Sequence, residues 1–195
     1  MDNMRETFRK KQIVKRYLMP MFVAAIGIFA LGCDDSITFY DLGISWTMDN
    51  PSPGTNTVFL VSVPSEPDEL ILAVDLNRIT NGLTHGAYFD LTFRKEVLYY
   101  DGFIKGSILE TAGPVVYQAA LDPQDPGRLI VGVSLLEDAA VEDARGVLIL
   151  IRFKALRSGT SSVVFENARL MTAENGGTIP MTGVSWYGGF ATVVE

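Results

Sequence analysis

The chain has 195 residues, of which 48% are hydrophobic and 20% charged, a balance typical of a globular domain with a core. Six basic and two acidic residues precede Cys33, so the rest carries 10 basic and 21 acidic side chains, a net charge of −11. Such an acidic body repels phosphate backbones, which argues against nucleic-acid binding. The single Cys excludes an internal disulfide, the single His leaves no pair of His ligands, and we expect neither metal nor cofactor.

The first 32 residues have the pattern of a secretory signal. A basic stretch over residues 5–16 precedes an apolar run from Leu18 to Leu31, which is shorter than the about 20 residues that a membrane span needs. The run ends in Ala30-Leu31-Gly32-Cys33, which resembles the lipobox of prokaryotic lipoproteins. The resemblance implies that Cys33 is lipidated and anchors the chain to a membrane, facing the extracytoplasmic side. An uncleaved anchor helix with an incidental Cys is the alternative.

Residues 33–56 show no sustained periodicity and are rich in Asp, Pro and Gly. We interpret them as the lipidated Cys followed by a flexible tether, with the cluster Asn50-Pro51-Ser52-Pro53-Gly54 marking the boundary. The sequence therefore predicts a signal peptide over 1–32, a tether over 33–56 and a single folded domain over 57–195.

From Thr57 onward the hydrophobic pattern has a period of two, which is typical of half-buried strands. The alternation is strongest over 70–77, 86–94, 128–136 and 146–154, and further strands are expected near 57–63, 97–101, 115–121, 162–170, 178–181 and 184–193. Only residues 137–144 favour a helical turn. Gly, Asn and Pro separate these runs, so the fold class is all-β, with about nine antiparallel strands in two packed sheets.

Several short segments occur in a characteristic order. They are Tyr88-Phe89-Asp90-Leu91-Thr92-Phe93 before Val97-Leu98, then Gly106-Ser107-Ile108-Leu109, then Gly127-Arg128-Leu129-Ile130-Val131 before Glu137-Asp138, and finally Arg145-Gly146-Val147-Leu148 before Phe153-Lys154-Ala155. This order resembles the cohesin family, jelly-roll β-sandwiches that are receptors for dockerin modules. The resemblance implies a non-catalytic module that binds a dockerin-like or other exported protein.

Cohesins bind through the outer face of one sheet, which contains the strands that match 86–94 and 128–136. In each of these strands, the residues that alternate with the core-facing ones point outward onto that face. Glu137, which follows the second strand, matches an acidic contact residue of the family. Gly86 and Tyr88 align with an Asn and an Asp that contact dockerin. The predicted partner-binding residues are Tyr88, Asp90, Thr92, Ile130, Ser134, Leu136 and Glu137. A loop of the same domain covering Ile130 and Leu136 is the alternative.

Paired aromatic residues leave a second hypothesis open. Tyr100, Trp186 and Tyr187 could stack on sugar rings, which would make the chain a polysaccharide-binding module, although core packing accounts for at least half of such residues. A third reading is a structural lipoprotein of the cell envelope.

Catalysis is not expected. His85 is the only His, and it stands beside the turn Asn81-Gly82, where a solvated loop position is predicted. Lipidation would use the only Cys, and a Ser–His–Asp triad would have to use His85.

Overall fold

The computed structural model describes residues 42–174 and 177–195, so Cys33 and the predicted signal peptide lie outside the described residues. Within them the alternating segments form twelve strands. These are β1 Gly43–Met48, β2 Thr57–Val63, β3 Glu69–Ile79, β4 Thr84–Thr92, β5 Leu98–Lys105, β6 Val115–Leu121, β7 Arg128–Leu135, β8 Ala144–Ala155, β9 Gly159–Glu174, β10 Gly177–Pro180, β11 Ser185–Tyr187 and β12 Gly189–Val194. In this part of the chain no helix has the length and hydropathy to cross a bilayer.

The strands are arranged in two sheets. The larger has the order β1-β12-β9-β4-β7-β6, with β10 paired to β9, and the smaller has the order β11-β2-β3-β8-β5. All these neighbours are antiparallel except β11, which runs parallel to β2. Strands far apart in the sequence are neighbours, as in a jelly roll, and the predicted all-β sandwich is confirmed.

The core lies between the sheets and is built from the alternating apolar positions. Phe89 and Leu91 of β4 are fully buried, and they belong to one core cluster with residues of the smaller sheet such as Leu72 and Phe153. Other fully buried members are Val58, Leu60, Val74, Leu76, Leu98, Leu129, Val131, Ile149, Ile151 and Val163. Because burial stabilises by about 25 cal/mol per Å² of apolar surface, this alternation is the main determinant of which side of each strand faces the core.

The prediction of a tether over residues 33–56 is wrong for Gly43–Met48, which form β1. β1 pairs antiparallel with β12 along its whole length, and Ile44 and Trp46 pack against the core while Ser45 and Thr47 are exposed. The alternation is real but short, and the Asp and Pro residues around it obscured it. The sandwich therefore begins at β1 rather than at Thr57.

The predicted helical turn at residues 137–144 is also wrong. The backbone N–H and C=O of Val141 both bond to Thr84, at 2.8 Å each, so this segment lies against β4. Those backbone bonds replace the bonds that a helical turn needs. Among the described residues, the one 3-10 turn is Leu109–Thr111, where Leu109 is buried.

Candidate functional site

The outer surface of β9, β4, β7 and β6, which we call the central face, carries most of the predicted binding residues. Strand register arranges most of its outward positions in three rows. From β9 to β6 the rows are Met171, Gly86, Ser134 and Val116; then Arg169, Tyr88, Gly132 and Gln118; then Glu166, Asp90, Ile130 and Ala120. Tyr88 thus lies at the middle of the face.

Tyr88 stands between two shallow depressions. Its side chain is 42% exposed, and its neighbours Gly86 and Gly132 have no side chains. One depression, of about 310 Å³, lies over these glycines, and its rim includes Val116, Gln118, Met171 and Thr178. The other, of about 440 Å³, is bounded by Tyr88, Asn167, Arg169 and Met171. An exposed aromatic ring between two depressions is a suitable anchor for a protein partner.

The two glycines beside Tyr88 have different structural roles. A Cβ on Gly86 would lie 2.4 Å from the carbonyl oxygen of Val133, so this position excludes a side chain. A Cβ on Gly132 would have no heavy atom within 4 Å. The Asn that the cohesin resemblance aligns with Gly86 therefore cannot be accommodated here without moving the backbone.

Asp90 is not available to a partner, which corrects the prediction that it is a contact residue. It points to the outer side of the sheet, as alternation predicted, but its exposed fraction is 0%. The Oδ2 atom accepts hydrogen bonds from Arg128 Nε at 3.1 Å and from Asn167 Nδ2 at 2.8 Å, and it also pairs with Arg128 Nη2. The side chains of Arg128 and Asn167 cover the carboxylate, so Asp90 supports the face from beneath.

The electrostatics of this network favour a charged Asp90. Burial alone raises the pKa of a carboxyl group, but the hydrogen bonds from Asn167 and Arg128, together with the positive charge of Arg128, outweigh it and lower the pKa of Asp90. The same contact raises the pKa of Arg128, and the negative charges of Asp122 and Glu166 add to that effect. The pair is therefore ionised at neutral pH.

The other predicted contact residues lie on the central face or at its margin. Thr92, Ile130 and Ser134 are half-buried on the face. Leu136 and Glu137 follow the end of β7 and are exposed, Leu136 by 65%, so no loop of the described chain covers Leu136. The structure thus brings Tyr88, Thr92, Ile130 and Ser134 together and places Leu136 and Glu137 beside them.

The prediction missed four residues that complete the face: Val116, Gln118, Arg169 and Met171. The alternation of β6 could have identified Val116 and Gln118. In β9 the alternation misleads, because the register shifts by one residue between Glu166 and Arg169, opposite Asp90 and Tyr88. This β-bulge contains Asn167 at φ +50°, and it turns Arg169 outward while Leu170 is buried.

The residues proposed for sugar binding do not form a common surface. Tyr100 lies on β5 and both Trp186 and Tyr187 lie on β11, which are opposite edges of the five-stranded smaller sheet. The Trp186 ring packs against Phe165 and Phe89, with centroid separations of 5.0 and 5.8 Å. The Tyr100 hydroxyl donates to the Ala119 carbonyl at 3.5 Å, and Tyr187 is half-buried. Their main role is packing.

His85 is not a solvated loop residue, which corrects the sequence prediction. It lies in β4, its exposed fraction is 8%, and its Nδ1 is 2.9 Å from the carbonyl oxygen of Ala139. The segment after β7 packs on the start of β4 and encloses the ring. Among the side chains described, those of residues 42–173 and 177–195, no group of three or more His, Cys, Asp or Glu residues is placed to hold a metal ion.

Comparison with solved structures shows that the fold is similar to that of cohesin domains. The chain is similar to the seventh ScaB type I cohesin from Pseudobacteroides cellulosolvens, with a TM-score of 0.53 and 12% identity over 69% of this chain and 88% of that one. It is similar to a type II cohesin domain from the cellulosome of Acetivibrio cellulolyticus, with a TM-score of 0.51 and 20% identity over 80% and 95%.

A chain of the type II cohesin–X–dockerin complex from Acetivibrio cellulolyticus also matches, with a TM-score of 0.50 and 18% identity over 74% of this chain and 94% of that one. No family model and no curated protein matches the sequence. The cohesin-like fold predicted from segment order is confirmed, and at these identities the likeness is one of fold.

Proposed function

We propose that the chain is a non-catalytic receptor, anchored to a membrane through Cys33, whose central face binds an exported protein. The observation that carries this proposal is the exposed Tyr88 between two depressions, on the sheet face whose strands match the binding strands of cohesins. Val116, Ile130 and Leu136 add apolar surface around it. A partner covering this face would bury roughly 1,200–2,000 Å² in total, which suffices for specific binding.

The partner we propose is a dockerin-like segment. One structure of similar fold is part of a cohesin–X–dockerin complex, which supports a partner of this kind. Recognition must differ from that of the cohesins with an Asn at the position of Gly86, because no polar side chain fits there. Contacts at the centre of the face must come from Tyr88 and from side chains that enter the depressions.

The anchor places the domain on the extracytoplasmic side of a membrane. The motivation is the sequence Ala30-Leu31-Gly32-Cys33 at the end of a short apolar run. Several acyl chains, at about 0.8 kcal/mol per buried methylene, give a stable attachment. An intact mass of the exported chain should show loss of the first 32 residues and a diacylglycerol on Cys33; a mass that retains residues 1–32 would contradict this.

Binding is tested with two variants of the central face. The full chain, solubilised in mild detergent and immobilised, should retain a discrete partner from the exported proteins of its source. Tyr88→Ala removes the exposed aromatic ring. Gly132→Tyr fills the depression beside it, from a position where a Cβ meets nothing within 4 Å. We expect each variant to weaken binding of the purified partner at least about tenfold, the loss of a single hot spot.

The matched control is Tyr99→Ala, because Tyr99 is 52% exposed but lies on β5 of the other sheet. It should leave the affinity unchanged. Thermal unfolding of all three variants should stay close to that of the wild type, since none removes a buried side chain. Equal affinities for wild type, Tyr88→Ala and Gly132→Tyr would refute the central face as the binding site.

A further inference from the structure

Arg169 is an exposed cation in the middle row of the central face, on its outermost strand β9. It lies directly opposite Tyr88 in the register of β9 and β4, and together with Tyr88, Asn167 and Met171 it bounds the second depression. The bulge at Asn167 is what turns it outward. A partner that packs on Tyr88 therefore also covers Arg169.

The charge of Arg169 is not neutralised within the described part of the chain. Among the side chains that the structure describes, over residues 42–173 and 177–195, the ion pairs are Arg128 with Asp90 and Arg152 with Asp101. The nearest acidic residue on β9, Glu166, is paired in register with Asp90, and its charge acts on Arg128. Arg128 is already held by the carboxylate of Asp90, whereas Arg169 forms no ion pair with any side chain that the structure describes.

Covering an unpaired guanidinium with protein is costly, because its hydrogen bonds to water are lost. A bound segment must therefore supply an acceptor, and a carboxylate is the best match, since it can take two parallel N–H bonds from Arg. From Cys33 onward the chain carries a net charge of −11, which repels a uniformly acidic partner. These two conditions favour one acidic residue flanked by apolar ones.

We propose that the central face selects a protein segment that sets one Asp or Glu side chain on Arg169 and an apolar side chain in the depression over Gly132. This inference rests on the proposed function and deepens it by defining the chemistry of the partner. Recognition combines an apolar contact, which supplies affinity, with one charge pair, which supplies specificity.

The test uses a yeast-displayed library of 16-residue segments, both linear and held in a helical hairpin, sorted against the full chain in mild detergent. Binders of the wild type should carry Asp or Glu at one position beside apolar residues. Their affinity should fall about tenfold with Arg169→Gln, the loss expected for one charge-assisted hydrogen-bonded pair. Sorting against Arg169→Glu should change that position to Lys or Arg.

Arg157→Gln is the matched control, because it removes the same charge from an exposed loop after β8. Binders that need Tyr88 but are indifferent to Arg169→Gln would overturn this inference and leave the proposed function standing. An equal loss with Arg157→Gln would also overturn it, because general attraction would then account for the acidic preference. A library with no binder sensitive to Tyr88→Ala or Gly132→Tyr would count against the proposed function itself.

Discussion

The central face and the edge between the sheets use tyrosines for opposite purposes. At that edge, β5 and β6 are the last strands of their sheets, and Tyr117 of β6 donates its hydroxyl to the Gly106 carbonyl at 2.6 Å. The Tyr117 ring stacks on Phe103 with centroids 6.4 Å apart, and Lys105 Nζ lies 5.7 Å from the ring centroid. These contacts join the two sheets.

Tyr88 on the central face has no such enclosure, because glycines at positions 86 and 132 leave open depressions beside it. An aromatic residue on an alternating strand is therefore not by itself a sign of a binding site. What separates the two cases is the surroundings: neighbours from the other sheet enclose Tyr117, whereas absent side chains leave Tyr88 accessible. Two predictions test this distinction between a supported, open face and a closed edge.

The larger effect is expected at Asp90, which supports the central face. Asp90→Asn removes the charge that Arg128 and Asn167 bond, and it should lower the free energy of unfolding by about 2 kcal/mol at pH 7. Because the folded pKa of Asp90 lies below its ordinary value of 3.8, this contribution is fully present above that value. It is lost as pH falls through the folded pKa, so urea unfolding of wild type and variant should converge at strongly acid pH.

Asp101→Asn is the control for Asp90. Asp101 lies 3.8 Å from Arg152 in an ion pair whose side chains are 30% and 37% exposed. Loss of a partly solvated pair of this kind should change the free energy of unfolding by less than about 1 kcal/mol. If Asp90→Asn costs no more than Asp101→Asn, the carboxylate does not support the central face.

The sequence predicted the strands that carry the site because their hydrophobic alternation is long and regular. For β4 and β7 it placed Phe89, Leu91, Leu129 and Val131 in the core and Tyr88 on the outside, all of which is confirmed. The cohesin resemblance added that β4 and β7 lie in one sheet, which no local pattern contains. The position of β9 on the other side of β4, about 70 residues away in the chain, is known only from the structure.

The errors share a physical cause, which is structure that depends on contacts distant in sequence. Asp90 points outward as predicted, but it is buried because Arg128 and Asn167 close over it. Arg169 was missed because one extra residue in β9 reverses the alternation. β1 has its hydrogen-bonding partner nearly 150 residues away in β12, so six residues in a Pro- and Asp-rich context predicted only a tether.

The smaller effect is expected at the edge between the sheets and has its own pH signature. Burial raises the pKa of Tyr117 to about 12, and the negative charge of Glu110 acts in the same direction. The unfolded chain titrates near the ordinary value of 10.0, so it loses this proton first. Stability that depends on the neutral phenol is therefore complete below pH 10 and is lost as the pH rises from 10 to about 12.

Tyr117→Phe tests that signature, because phenylalanine keeps the ring stack on Phe103 but has no hydroxyl. At pH 8 the variant should be less stable by about 1 kcal/mol, the worth of its bond to Gly106. As the pH is raised from 10 towards 12, the wild type should lose that advantage, whereas Tyr99→Phe, at an exposed position on β5, should follow the wild type throughout. If the stabilities of wild type and Tyr117→Phe change in parallel with pH, the Tyr117 hydroxyl is not enclosed. The contrast between an enclosed Tyr117 and an accessible Tyr88 would then be wrong.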